Sequence, residues 1–141
     1  MSTQKATMQR YANGINNRSL TVADYAEIFA PDYVEITSQP VPPGPEGQRQ
    51  LFEATIAGFP DLHIALDDLI EEGNRVVARW TMTGTHQGEF NGISATGKQV
   101  EVMGISIWHF DENGQNVKEY ELLDGVGLLI QLGVMPAPES A

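Results

Sequence analysis

The sequence contains no cysteine, which excludes a disulfide scaffold, thiolate chemistry and Cys-based zinc or iron–sulfur centres. Positive charge is scarce as well: eight basic residues stand against nineteen acidic ones, a net charge of −11 over 141 residues. That field repels phosphate backbones and anionic lipid, so neither nucleic-acid nor membrane partners are expected. Long apolar runs are also missing. The longest, Gly125 to Met135, is broken by Gln131 and is far too short to span a bilayer. Met1 to Arg10 is polar, without the apolar core of a secretory signal, and a cytoplasmic location is the expectation. Hydrophobic residues nonetheless reach 41%, too many for a chain disordered by composition. Residues 1–141 suit one domain, which buries ~70% of its extended surface and leaves room for a core and one small-molecule cavity.

Helical spacing dominates the first part. Met8, Tyr11, Ala12 and Ile15 form one stripe, and Asn13-Gly14 suggests a frayed end. Thr21 with Asp24 reads as a capped helix start, with Val22, Tyr25, Ala26 and Phe29 as its buried face and Pro31 as its stop. A short strand, Asp32 to Thr37, alternates Tyr33 and Glu35 against Val34 and Ile36. After a proline-rich loop, Pro45 opens a third helix with Leu51, Phe52, Thr55, Ile56 and Phe59 on one face.

The remainder reads as antiparallel strands at His63 to Ile70, Arg75 to His86, Gln99 to Phe110 and Val117 to Leu123, closed by a short helix from Gly125 to Leu132. Asn113-Gly114 predicts a type I′ hairpin turn. The order is α+β: three N-terminal helices against a curved antiparallel sheet of four to five strands. The strand Gln99 to Phe110 is apolar on both faces, with Val100, Val102, Trp108 and Phe110 on one and Met103, Ile105 and Ile107 on the other. Helices cover one face; a second copy of the chain is the simplest cover for the other, so a homodimer is expected.

The chemistry on offer is carboxylate chemistry. His63, His86 and His109 fall on different predicted strands without ligand spacing, so no metal site is assigned. Gly125-Val126-Gly127 lacks the third glycine of a dinucleotide fingerprint, and no serine sits in a nucleophile elbow. Counting outward from the Asn113-Gly114 turn, Phe110 meets Val117, Trp108 meets Glu119, Ser106 meets Glu121 and Gly104 meets Leu123. Directly opposed residues share a face, so Glu119 and Glu121 project beside Trp108 and Ser106. A bulge in the turn would bring Tyr120, His109 and Asp124 forward instead. Two readings stand for these acids: a strand whose carboxylates face water, or a carboxyl in an apolar pocket that can shuttle protons. Asp124, directly before Gly125, is also placed to cap the last helix.

The segments Phe59-Pro60-Asp61-Leu62-His63, Gly84-Thr85-His86-Gln87-Gly88-Glu89-Phe90, Gly92-Ile93, Ala95-Thr96-Gly97-Lys98 and Gly104-Ile105-Ser106-Ile107-Trp108 resemble the SnoaL-like polyketide cyclase (ester cyclase) family. The ending from Asp124 to Gln131-Leu132-Gly133 fits it too. The resemblance implies an NTF2-like cone around a deep apolar cavity, and ring closure by proton transfer without metal or cofactor. It assigns the acid–base carboxylate to Glu121, where the family has aspartate, and the neighbouring histidine to Ser106. Asp124 stands as the further catalytic candidate, and Trp108, Glu119, Tyr11 and Ile15 as residues lining the cavity. The functions in competition are a cyclase or isomerase acting on an apolar carbonyl compound, with epoxide hydrolysis as a variant needing a carboxylate trio, a non-catalytic binder of an apolar small molecule, and a structural dimer.

Overall fold

Ser2 opens the first helix, α1 (Thr3–Asn17), by accepting the Lys5 N–H at 3.1 Å, and Met8, Tyr11, Ala12 and Ile15 are buried along it as their spacing predicts. The computed structural model describes residues 2–139. It carries α1 through Asn13-Gly14 without the expected fraying. A Cβ on Gly14 would lie 2.4 Å from Leu20 Cδ2, so this glycine serves close packing, and the helix ends instead at Arg18 in the left-handed conformation, φ 55°.

Thr21 and Asp24 form the expected capping box of α2 (Val22–Ile28). This helix is shorter than the periodicity suggests. Val22 and Ala26 are exposed, Tyr25 and Ile28 are buried, and Phe29 begins the strand β1 (Phe29–Ile36). Pro31 therefore lies inside β1. The strand is at the sheet edge and its pairing is irregular between Phe29 and Val34, where a missing N–H breaks no ladder. The third helix, α3 (Gly44–Gly58), starts one residue before Pro45.

Four strands follow: β2 (His63–Glu72), β3 (Arg75–Thr85), β4 (Gln99–Phe110) and β5 (Asn116–Leu123), then helix α4 (Gly125–Gln131). The fold is α+β, with the helices packed on one face of a five-stranded sheet of order β1-β5-β4-β3-β2. β2 to β5 pair antiparallel as expected, while β1 joins β5 in parallel. The inner face supplies Val76, Ala78, Trp80, Val100, Val102, Trp108 and Phe110 to the core.

The β4–β5 turn differs from type I′. Gly114 has φ 77°, but Asn113 is not left-handed. Asp111 organises the turn instead, its Oδ1 accepting from Asn113 N at 2.9 Å and Gln115 N at 3.0 Å. The resulting bulge pairs Phe110 with Asn116 rather than Val117. It sits at the turn end, so the outer pairs Trp108–Glu119, Ser106–Glu121 and Gly104–Leu123 form as counted.

The segments that carry the family resemblance act as a clamp. Asp61 accepts from Thr85 N at 2.7 Å and Thr85 Oγ1 at 2.8 Å, and Gln87 N and Gly88 N donate to Gly58 O. His86 lies past the end of β3, fully buried and stacked on Phe59. On the opposite face of the sheet, Val34, Ile36, Met103, Ile105, Tyr120 and Leu122 are exposed. The two-sided apolar character of β4 is thus realised, with one side in the core and the other open.

Candidate functional site

Two strands bring three acids together. Inward alternation on β5 places Glu119 opposite Trp108 and Glu121 opposite Ser106. Parallel pairing then sets Glu35 of β1 beside Glu119 as its Cα partner. A carboxylate oxygen from each of Glu35, Glu119 and Glu121 lies within 4.8 Å of the others. Glu119 is 5% exposed and Ser106 1%, while Glu35 and Glu121 are partly buried.

Neutral donors surround this trio. Tyr33 Oη lies 2.9 Å from Glu119 Oε1, and Ser106 Oγ lies 2.9 Å from Glu119 Oε2. Trp80 Nε1 donates to Ser106 Oγ at 3.0 Å. A second chain runs from Tyr11 Oη to Gln48 Oε1 at 3.2 Å, and from Gln48 Nε2 to Glu35 Oε1 at 3.0 Å. Gly104 makes room for the first chain, because a Cβ there would come within 2.2 Å of Trp80 Cζ2.

Burial, and then the neighbouring charge of Glu119, pushes the Glu121 carboxyl up to about 10. The same two causes push Glu35 up to about 8. Burial first, with the nearby acids adding, also holds the Tyr33 and Tyr11 phenols well above their ordinary value. An acid raised in this way keeps its proton at neutral pH and can deliver it, which is the property required of a proton shuttle. The spacing is also one a cation could bridge, but Glu119 already has a donor on each oxygen.

The remaining candidates from the sequence are placed as follows. Asp124 is exposed, and its Oδ1 caps α4 by accepting Gly127 N at 2.8 Å. Its carboxylate is therefore committed to the helix and lies outside the trio. Trp108 is buried on the inner face, its Nε1 without a hydrogen-bond partner. Tyr11 and Ile15 are buried in the core. The Tyr11 ring is packed edge-on against Tyr25, Phe29 and Phe52. An open groove of about 630 Å³ lies on the outer face of the sheet, walled by Ile36, Met103, Ile105, Ile107, Tyr120 and Leu122, with Glu121 and Leu123 at its edge and Thr37 and Ser38 beside it where the chain leaves β1. Sequence reasoning missed Glu35, Tyr33, Gln48 and Trp80. The alternation of Tyr33 and Glu35 was visible, but not the strand that β1 would join.

The chain matches the family model described as SnoaL-like polyketide cyclase over residues 5–132. Its fold is shared with TsrD from Streptomyces laurentii, 28% identical, with a TM-score of 0.84 over 94% of this chain and 96% of that one. AclR from Streptomyces galilaeus, a putative hydroxylase, is 26% identical with a TM-score of 0.81 over 97% of this chain and 85% of that one. IdmH from Streptomyces antibioticus, a putative polyketide cyclase, is 26% identical with a TM-score of 0.77 over 94% of this chain and 99% of that one. No curated protein matches the chain.

Proposed function

The chain belongs to the SnoaL-like polyketide cyclase family, and on that footing we propose a cofactor-independent cyclase or isomerase that moves protons at a carbonyl group of an apolar small molecule. The observation that carries this reading is Glu121: an inward-facing carboxyl with a raised proton affinity, beside two further acids. Its neighbour across the sheet, Ser106, supplies a hydroxyl where the family pattern has histidine. That hydroxyl is engaged with Glu119 at 2.9 Å, so the proton traffic falls to carboxyl groups. In this role Glu121 exchanges a proton with the carbon next to the carbonyl and returns it, which stabilises an enol and permits ring closure or double-bond migration.

The second reading, a binder that carries an apolar ligand without turning it over, is favoured by the engagement of Ser106 and Glu119 with each other. One experiment separates the two. Apolar β-dicarbonyl compounds are incubated with the protein in deuterium oxide, and exchange of the hydrogens between the carbonyls is followed by NMR. The parent should accelerate exchange, and Glu121→Gln should lower that acceleration by ~10²–10⁴ with little change in ligand affinity. Equal exchange in parent and variant sinks the catalytic role of Glu121. Binding without any exchange selects the carrier.

We further propose that the exposed apolar face of β4 and β5, with Ile36 and Val34 of β1, is covered by a second copy of the chain. Contiguous apolar surface of this kind on a sheet is unusual on a monomer.

A further inference from the structure

The hydrogen bonds around the three carboxylates determine where the protons of the site rest. An indole N–H can only donate. Trp80 Nε1 therefore gives its hydrogen to Ser106 Oγ at 3.0 Å, and the Ser106 hydroxyl hydrogen is directed to Glu119 Oε2 at 2.9 Å. Tyr33 serves the other oxygen, Oε1, at 2.9 Å, and burial beside Glu119 keeps the Tyr33 phenol protonated. Glu119 thus accepts on both oxygens, which is the pattern of a carboxylate.

The second chain of donors reaches Glu35 Oε1 through Gln48, and the Glu35 carboxyl also lies in hydrogen-bond contact with Glu119 and Tyr33. Glu121 has its hydrogen-bond contact with Glu119 itself, the pattern of a neutral carboxyl donating to a carboxylate. The titratable groups around Glu121 are Glu119 on its own strand, Glu35 and Tyr33 on β1 and Tyr11 on α1. Asp124, three residues on, is tied to Gly127 N. None of the ion pairs among the described residues includes Glu35, Glu119 or Glu121. Three acids this close, with no cationic side chain paired to them among the described residues, cannot all be ionised.

The geometry points to a three-carboxylate proton store in which Glu119 holds the single negative charge and Glu121 and Glu35 each rest protonated. Tyr33 and the Trp80–Ser106 pair are the positioning residues that keep the charge on Glu119. The store also orders the reaction, and this use of it rests on the acid–base reading above, whereas the proton inventory does not. Glu121 enters as the donor. Its hydrogen goes to the carbonyl oxygen, whose C=O π pair forms the new O–H bond. The Glu121 carboxylate then takes the hydrogen of the adjacent carbon, and the C–H pair becomes the C=C bond of the enol. The carboxyl is restored and no other reactant is consumed.

The test is a site-resolved titration of the full chain labelled with carbon-13 at the glutamate carboxyls, with signals assigned through single Glu→Gln variants. Glu121 and Glu35 should change state above neutral pH. Ser106→Ala and Tyr33→Phe each remove one donor from Glu119, so the proton redistributes towards it. The Glu121 midpoint should then fall by about one pH unit in each variant. A purely structural role for these two residues leaves that midpoint where it was. The proposal is overturned by a Glu121 signal that titrates in the ordinary carboxylate range, or by a midpoint unmoved in both variants. Should the titration hold while Glu121→Gln retains full hydrogen exchange, the catalytic reading falls and the proton store stands.

Discussion

Replacing Glu121 by glutamine should leave stability almost unchanged in mild acid and make the variant the more stable protein at alkaline pH. The amide copies the shape of the neutral carboxyl and cannot ionise. In the fold, burial and then the Glu119 charge raise Glu121 to about 10, whereas a glutamate in the unfolded chain titrates near ~4.3. The native state therefore holds a proton that the unfolded state has already released. The contribution is fully present below the unfolded value and is lost as pH rises towards the folded one. An isolated site loses about 1.4 kcal/mol per pH unit across that window. Glu121 is only partly buried, and the demand for protons is divided with Glu35, raised to about 8. Roughly half the full slope is expected, about 2 kcal/mol between about pH 5 and about pH 8. Urea denaturation of parent and variant at one protein concentration, repeated across pH, reads this as a growing difference in midpoint. Acids whose values the fold lowers, among them Asp24, Asp61, Glu46 and Glu71, act in more acid solution and cancel in the difference. A difference that stays flat refutes the reasoning. One that grows in favour of the parent reverses the sign and makes Glu121 an ionised, stabilised acid.

Two further outcomes are expected. Gly104→Ala places a Cβ where Trp80 Cζ2 is 2.2 Å away, and such overpacking costs about 1–3 kcal/mol; an unchanged urea midpoint would mean that the indole has room to move. Light scattering at micromolar concentration should give a dimer for the parent and a monomer for Leu122→Lys, since Leu122 is 72% exposed on the open face; a monomeric parent counts against the sheet-to-sheet dimer.

The parts legible in the sequence are those governed by neighbours along the chain. The stripe on α1, the Thr21–Asp24 box and the burial of alternate residues on β4 follow from local periodicity and capping chemistry. The pairing of Glu121 with Ser106 was also readable, because a hairpin register is counted outward from its turn. The turn type itself was misread: Asp111 accepts two backbone N–H groups, and the bulge it produces is confined to the last pair. The extent of α2 was misread for a related reason. Phe29 continues a helical pattern, but its side chain is equally well buried at the start of β1, and long-range packing decides between the two.

The sequence alone placed Glu119 and Glu121 on the same sheet face as Ser106 and Trp108, since alternation and hairpin pairing are local properties of the backbone, and left open whether that face met water or the core. Only the tertiary structure decided that β1 lies parallel to β5, which brings Glu35 against Glu119 and Tyr33 onto its oxygen across 86 residues of chain. No turn connects those two strands, so no count along the sequence can set their register. It is set by the packing of α1, α2 and α3 against the sheet, a sum of many weak apolar contacts among residues distant in the chain. The same packing sets the Tyr11 ring against Tyr25, Phe29 and Phe52 and leaves the outer face of β4 and β5 open beside Thr37 and Ser38, where the chain departs from the sheet.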